Sequence, residues 1–166
     1  MEAGALNEGT LITTVAAEFR HALPHGGVLL GIDTGTKTIG IALCDAGWRF
    51  ATPAKPLARG KFARDRAALE AIVAERRVAG VVIGLPLNMD GSESPRSQAA
   101  RAFARNLSVL RLPALLWDER WSTLAAERAL IEQDLSRAKR AERIDSAAAA
   151  VILQAAIDRL AGGGLG

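Results

Sequence analysis

Cysteine is nearly absent from this sequence of 166 residues, which contains only Cys44. An internal disulfide is therefore impossible, and a disulfide framework of the kind that supports small secreted domains is excluded. No apolar run approaches the ~20 residues of a membrane-spanning helix. The N-terminus also lacks a basic segment followed by a long apolar stretch, so we expect no signal peptide. These absences predict a cytoplasmic protein.

The charge balance is only slightly positive, with 21 basic and 18 acidic residues and a formal net charge of +3. Most of the basic residues are arginines, whose flat guanidinium group can bind a phosphate through two hydrogen bonds. This excess is compatible with nucleic-acid binding, but many ordinary enzymes are equally basic. Hydrophobic residues make up 49% of the chain, which is enough for one domain with its own core.

The first 27 residues differ from the rest of the chain. Residues 11–22 have the pattern of one short amphipathic helix, and Pro24, Gly26 and Gly27 then end it. We therefore divide the chain into an N-terminal extension, residues 1–27, and a domain of residues 28–166. The extension is expected either to dock on the domain or to be partly mobile.

Apolar and β-branched runs predict five strands in the domain, and helical periodicity predicts four helices between and after them. The predicted strands are residues 28–33, 38–44, 48–52, 81–85 and 114–117, with Pro53 and Pro56 ending the third. The predicted helices are residues 61–77, 95–110, 122–134 and 144–160, with Ser94 capping the second and a polar, basic loop or helix entry over 135–143. The order indicates an α/β fold. It has a mixed five-stranded sheet, an antiparallel three-stranded meander plus parallel strands, flanked by helices on both faces.

Three acidic residues stand where such a fold places binding sites. Asp33 and Glu119 follow predicted strands, and Asp145 falls in the first turn of the last predicted helix. Ligands of open α/β sheets bind at the carboxyl ends of strands. Each acid also has an ordinary interpretation: Asp33 as a turn former, Glu119 as the surface partner of Arg120, and Asp145 as a charge favoured by the helix dipole.

A metal site is the chemical hypothesis that joins these three acids. Clustered carboxylates repel one another and need a cation, and oxygen ligands favour hard ions such as Mg²⁺ or Mn²⁺. One or two such ions would activate water for phosphodiester hydrolysis. Cys44, His21 and His25 form no metal-binding pattern.

Four segments resemble motifs of the YqgF/RuvX family, in the same order and with similar spacing. They are residues 31–40 (GIDTGTKTIG), 82–92 (VIGLPLNMDGS), 118–123 (DERWST) and 144–149 (IDSAAA), and the resemblance covers about residues 28–160. This family is described as Holliday junction resolvases and as nucleases of pre-16S ribosomal RNA. Four motifs in register are a far more specific signal than any one of them.

The resemblance implies an RNase H-like fold and a metal-dependent endonuclease with Asp33, Glu119 and Asp145 as its acidic triad. It favours maturation of pre-16S rRNA in ribosome biogenesis, where the protein could contact a ribosomal particle. Cleavage of branched DNA, as by a Holliday junction resolvase, is the alternative. Residues 1–27 are an addition to the family pattern. The sequence leaves open whether the chain is a monomer or a homodimer, and whether one or two metal ions bind.

Five further residues are candidates for nucleic-acid contact. Lys37 and Asn88 lie in loops after strands, and Arg120 could orient Glu119 or meet the scissile phosphate. Arg140 and Arg143 belong to a basic run before Asp145. The plain alternatives are a solvated lysine, tight-turn chemistry at Asn88 and a solvated basic face.

Trp121 departs from the family pattern, where leucine is common. It could stack on a base, but a core or helix-packing role is the favoured interpretation.

Two other function classes remain open. The segment Asp33-Thr34-Gly35-Thr36 resembles the phosphate loop of sugar kinases and actin, but those proteins need two such halves and this chain has room for one. A non-catalytic nucleic-acid-binding or ribosome-assembly factor is the second alternative, and the complete acidic triad argues against it.

Overall fold

The computed structural model describes residues 10–35, 37–122 and 137–162, with side chains of the last segment described from Ser146 onward. The strands are β1 (Ile12–Thr13), β2 (Leu29–Thr34), β3 (Thr38–Cys44), β4 (Ala51–Ala58), β5 (Gly80–Leu85) and β6 (Ala114–Asp118). The helices are α1 (Ala16–Ala22), α2 (Phe62–Arg76), α3 (Pro95–Leu107) and α4 (Arg137–Ala161). Short 3-10 turns follow α3 at Ser108–Leu110 and β6 at Glu119–Trp121.

The six strands form one mixed sheet in the order β1-β6-β5-β2-β3-β4. The β2-β3-β4 meander is antiparallel, whereas β2, β5, β6 and β1 pair in parallel. This confirms the expected mixed α/β sheet. Among the described residues, no helix is long and apolar enough to cross a membrane.

The sheet has one strand more than expected because the N-terminal segment contributes to it. Ile12 and Thr13 form β1 beside β6, where a single helix over residues 11–22 was predicted. The helix α1 begins only at Ala16, and its Phe19 is fully buried in the core. A strand of two residues shows no alternation of apolar and polar side chains, so the sequence pattern could not reveal it.

The third strand of the meander was predicted too early and too short. The strand β4 begins at Ala51 and includes both Pro53 and Pro56, which were expected to end it. β4 is an edge strand, and its register against β3 shifts between Ile39 and Ile41. Edge strands and irregular pairings tolerate proline because a missing N–H can face away from the sheet.

Helices cover both faces of the sheet and divide the core into two layers. On one face, α1 and α4 pack on residues that include Leu29, Val82 and Trp117. On the other face, α2 and α3 pack on residues that include Ile32 and Ile83. The strands β2 and β5 are buried along their whole length, which matches their almost continuous apolar sequence.

The start of α3 confirms the predicted cap. The Ser94 side chain accepts a hydrogen bond from Ser97 N, and the Ser97 hydroxyl in turn accepts one from Ser94 N. Pro95 occupies the first helical turn, where its missing N–H has no consequence. This reciprocal cap fixes where the loop after β5 ends.

The last helix begins earlier than predicted. Residues 137–143 were expected to form a loop or helix entry, but α4 already includes them, so Asp145 lies two turns inside the helix and not in its first turn. Arginine, alanine, lysine and glutamate all favour helix, which explains the longer element. The predicted helix over residues 122–134 lies almost wholly outside the described residues.

Two glycines set how closely α4 approaches the sheet. A Cβ atom at Gly31 would lie 2.8 Å from the Leu153 Cβ and 3.1 Å from the Ala149 backbone oxygen. A Cβ atom at Gly84 would lie 2.6 Å from the Ile152 Cδ1. The 2.8 Å and 2.6 Å distances are shorter than packed carbon atoms allow, so α4 rests on positions of β2 and β5 that have no side chain.

We predict that Gly31→Ala lowers the free energy of unfolding by about 1–3 kcal/mol, because the added methyl group meets the root of a side chain and a backbone carbonyl that cannot move alone. Urea titration followed by circular dichroism measures this loss. Gly47→Ala is the matched control, because its added methyl would meet only the ends of the Asp45 and Arg49 side chains, and we expect a change within about 0.5 kcal/mol. Equal stability of the two variants would contradict the close packing.

Candidate functional site

Asp33 lies near the carboxyl end of β2 and is almost fully buried, with 2% of its surface exposed. Side chains two residues apart on a strand point to the same face, so Asp33 shares the face of Gly31. The position of a Cβ at Gly31 is in contact with α4. The Asp33 carboxylate therefore lies on the α4 side of the sheet, beyond the glycine on which the helix rests.

Glu119 reaches the same place from the end of β6. A Cβ atom at Gly84 would lie 2.7 Å from the Glu119 Oε2, so this carboxylate occupies the space above Gly84 that a side chain would fill. Gly84 follows Ile83, which is the register partner of Ile32, and Asp33 follows Ile32. Because neighbouring strands lie ~4.8 Å apart, Asp33 and Glu119 meet at one edge of the sheet.

The direction of α4 brings the region of Asp145 to this edge as well. The Ser146 hydroxyl donates to the Ala54 carbonyl at 2.6 Å, and the Gln154 side-chain oxygen accepts from the Ala51 backbone N–H at 2.8 Å. The helix therefore runs opposite to β4, and β4 runs parallel to β2. Its N-terminal half lies toward the carboxyl end of β2, where Asp33 lies.

We call this region, formed by Asp33, Glu119 and the α4 backbone around position 145, the acidic edge. Among the residues whose side chains are described, no group of three His, Cys, Asp or Glu residues could hold a metal ion, and Asp145 lies outside that set. The two acids that are described supply carboxylate oxygens only. Such donors suit Mg²⁺ or Mn²⁺ and not softer metals.

Arg120 binds the Asp118 carboxylate through its guanidinium, whereas the space above Gly84 is occupied by Glu119. Its guanidinium donates three hydrogen bonds to the Asp118 carboxylate, the shortest being 2.7 Å from Nη2, and its backbone N–H donates a fourth. Burial raises the pKa of Asp118, but the hydrogen bonds from Arg120 outweigh this effect and hold the pKa below its ordinary value. We call this pair the Asp118–Arg120 clamp.

The clamp also reaches the loop after β5. The Nη1 of Arg120 donates to the Met89 carbonyl at 3.2 Å, and Gly91 packs beside the guanidinium with a positive φ of 88°. Asn88 is exposed, and its amide donates to the Ser92 hydroxyl and to the Glu93 carbonyl, each at 3.0 Å. Asn88 therefore shapes a tight turn next to the site, which is the plainer of its two predicted roles.

The turn after Asp33 is held from the other side by Arg59, at the end of β4. Its Nη1 donates to the Gly35 carbonyl at 2.6 Å, and its backbone N–H donates to the Lys37 carbonyl at 2.8 Å. Lys37 itself is exposed on this turn, so its ammonium group is open to solvent. The side chains of Arg140 and Arg143 lie outside the described residues.

Trp121 is not a core residue, because 59% of its surface is exposed. It contacts the buried Trp117, with ring centroids 5.5 Å apart and ring planes at 85°. The core half of the favoured interpretation is therefore wrong, whereas a helix-packing role stays a prediction. Trp121 lies at the rim of the acidic edge, two residues after Glu119.

A family model described as RuvX: Holliday junction resolvase matches residues 27–159 of this chain. The chain belongs to the RuvX family. It is 72% identical over 152 residues to a protein of Novosphingobium aromaticivorans, covering 92% of this chain and 98% of that protein. It is 67% identical over 150 residues to a protein of Sphingopyxis alaskensis, covering 90% and 99%. Both relatives carry the name "Putative pre-16S rRNA nuclease".

Solved structures of a related fold come from Thermus thermophilus. Its RuvC in complex with a Holliday junction substrate matches with a TM-score of 0.53 and 14% identity, over 83% of this chain and 97% of that chain. A second RuvC structure matches with a TM-score of 0.51 and 16% identity, over 81% and 96%. These likenesses confirm the RNase H-like fold of this RuvX chain.

Three residues position the site without belonging to it and were not predicted from the sequence. Asp118 and Gly84 lie within the family motifs, and Arg59 lies outside them. An acid directly before a candidate metal ligand was the available signal for Asp118. No local pattern shows that Gly84 faces Glu119, because that contact depends on strand register.

We predict that Asp118→Asn lowers the free energy of unfolding at pH 7 by about 1–3 kcal/mol, because it removes the charged acceptor of the clamp. Asp118 has a lowered pKa in the folded state, so its ionised form stabilises the fold above the unfolded-state value of ~3.9. This contribution is lost as the pH falls through that value toward the folded pKa. Urea titrations at several pH values should therefore show a constant deficit above pH ~5 and a shrinking deficit below pH ~4.

Asp158→Asn is the control for this prediction, since Asp158 is exposed on α4 and its carboxylate accepts a hydrogen bond from the Gln154 amide, which an asparagine oxygen can also accept. A deficit for Asp118→Asn that stays the same down to pH ~3 would contradict a role for the carboxylate charge.

Proposed function

We propose that this RuvX protein is a metal-dependent endonuclease that cleaves phosphodiester bonds in structured nucleic acid, with precursor 16S rRNA as its substrate. The observation that supports it best is the placement of both acids on one face of the sheet, with the Glu119 carboxylate above Gly84 and Asp33 on the neighbouring strand β2. Membership of the RuvX family and the names of the close relatives support the same activity.

Asp33, Glu119 and Asp145 would hold Mg²⁺ or Mn²⁺, as one or two ions. Bound there, the metal would lower the pKa of a water molecule and stabilise charge on the phosphate. Asp33 suits this role because it is buried on a central strand. A rigid strand holds the carboxylate oxygens in place, and a metal ion needs its ligands at fixed positions. We include Asp145 among the proposed metal ligands for two reasons: its position in the family motif, and the direction of α4, which brings its N-terminal half to the acidic edge.

The residues around the acidic edge would position the nucleic acid. Lys37 is exposed on the turn directly after Asp33, where an ammonium group can contact a backbone phosphate. Arg120 is held by Asp118 but keeps 32% of its side chain exposed, so it could meet a phosphate without leaving the clamp. Asn88, Arg140 and Arg143 complete the proposed contact surface.

Branched DNA is the second candidate substrate. The RuvX family model is described as a Holliday junction resolvase, and the matching RuvC structure contains such a junction. The hydrolysis of the phosphodiester needs the same acidic edge for either polymer, so the described geometry supports both. We favour precursor rRNA because both close relatives are named for it.

The proposal extends to the setting of the reaction. A nuclease of precursor rRNA would work in the cytoplasm and would meet its substrate within a ribosomal particle. We propose residues 28–166 as the nuclease domain, with β1 and α1 of the preceding segment packed against it. The protein would act as a monomer or a homodimer.

We predict that Asp33→Asn, Glu119→Gln and Asp145→Asn each reduce cleavage at least about 100-fold while the fold is retained, because each removes a charged metal ligand. Cleavage of labelled precursor 16S rRNA in Mg²⁺ or Mn²⁺ measures the loss, and circular dichroism checks the fold. Asp158→Asn on the same helix is the matched control and should cleave like the wild type. Full activity in any triad variant would remove that residue from the mechanism.

A parallel assay on precursor rRNA and on a four-way DNA junction separates the two substrates. We expect faster cleavage of the rRNA, and no cleavage of either after chelation of divalent ions with EDTA. Faster cleavage of the junction would favour the second candidate. Cleavage of neither substrate with Mg²⁺ or Mn²⁺ present would overturn the proposed function.

A further inference from the structure

Within the described part of the chain, Trp121 presents an uncovered aromatic face at the rim of the acidic edge. Its ring is perpendicular to that of Trp117, which is almost fully buried. Whichever of the two rings offers its edge, Trp117 can cover at most one face of Trp121. An exposed fraction of 59% agrees with an open face, and a tryptophan in contact with water in this way loses the stabilisation that burial would give.

A cavity beside Trp121 adds shape and charge to this face. It has a volume of about 350 Å³ and is lined by Trp117, Trp121, Ala155 and Arg159. This volume is at the lower end of the range for small-ligand sites. Arg159 is exposed near the C-terminal end of α4 and supplies a positive charge. Aromatic surface combined with an arginine is the chemistry that binds a nucleobase and its phosphate.

The cavity adjoins the acidic edge and is not a separate region of the surface. Ile152 and the Glu119 carboxylate both pack above Gly84, and Ala155 lies three residues further along α4. Three residues of helix correspond to ~4.5 Å. Trp121 is also joined to Glu119 through the same 3-10 turn. The cavity therefore begins about one helical turn from the Glu119 carboxylate, and Arg159 lies one further turn along α4.

From this geometry we propose that Trp121 and Arg159 form a binding site for one unpaired nucleobase, which stacks on Trp121 next to the scissile phosphate. This inference rests on the proposed function and narrows it to nucleic acid with unpaired bases beside the cleaved bond. A base inside a duplex has both faces stacked on its neighbours, so only an unpaired or extruded base can offer a face to the indole.

The test is equilibrium binding in EDTA, which prevents cleavage, at one fixed salt concentration. The probes are an RNA stem–loop and a blunt duplex with the sequence of its stem. We expect Trp121→Ala to bind the stem–loop about 10-fold or more weakly than the wild type, and Trp121→Phe to retain most of the affinity, because phenylalanine keeps an aromatic face. We expect the affinity for the blunt duplex to be the same for all three proteins.

Phe50→Ala is the matched control. Phe50 is also an exposed aromatic residue, with 71% of its surface accessible, but it precedes β4 and therefore lies at the opposite end of the sheet from Asp33. Its removal should leave both affinities unchanged. Thermal unfolding of all variants verifies the fold.

A second measurement identifies the stacked base. Abasic sites are introduced one at a time into the loop of the RNA. At one position the wild type should lose about the same affinity that Trp121→Ala loses, and Trp121→Ala should lose nothing more, because the two changes remove the same contact.

Several outcomes would overturn this inference. Equal binding of the stem–loop by Trp121→Ala and the wild type would do so while leaving the proposed function intact. Equal weakening of stem–loop and duplex binding would also do so, since it would indicate a general loss of structure or charge. Failure of the wild type to bind the stem–loop more tightly than the blunt duplex would overturn this inference, whereas the proposed function is tested separately by cleavage with Mg²⁺ or Mn²⁺ present.

Discussion

The close approach of α4 to β2 and β5 is the contact on which the acidic edge depends. Gly31 and Gly84 leave no side chain between helix and sheet, so Leu153 and Ile152 pack directly against the strands. At Gly84 the same gap also receives the Glu119 carboxylate. The absence of a side chain at Gly84 therefore sets both the distance between α4 and the sheet and the position of Glu119, a proposed metal ligand. Any larger residue at position 84 would displace one of them.

The carboxyl ends of the strands are held by two arginines, Arg120 and Arg59, that bind neighbouring loops. The Asp118–Arg120 clamp joins the end of β6 to the loop after β5, and Arg59 joins the end of β4 to the turn after Asp33. Besides the stability that the buried Asp118 carboxylate contributes, fixed donors on backbone carbonyls restrict how loops move. These arginines therefore serve the geometry of the site as well as the stability of the fold.

The sequence predicted the elements whose signals are local. The uniformly apolar strands β2 and β5 and the cap at Ser94 were found because propensity and packing agree there. The proline-containing β4 and the short β1 depend on edge position and on pairing with a distant strand, which no local pattern shows. The proximity of Asp33 and Glu119 could be expected because ligands of open α/β sheets bind at the carboxyl ends of strands. The role of Gly84 could not, because it depends on the register between β5 and β6.

Choice of substrate cannot come from the acidic edge alone. Carboxylates and metal ions act on the phosphodiester, which is the same group in RNA and in DNA, so selectivity must arise where bases or sugars make contact. The described rim offers two kinds of contact: a loop held by Arg120 and the open aromatic face of Trp121. Both are tied to Glu119 through the turn after β6. On the proposed function, a base stacked on Trp121 would bring its phosphate near the acids, and recognition of unpaired structure would then favour cleavage.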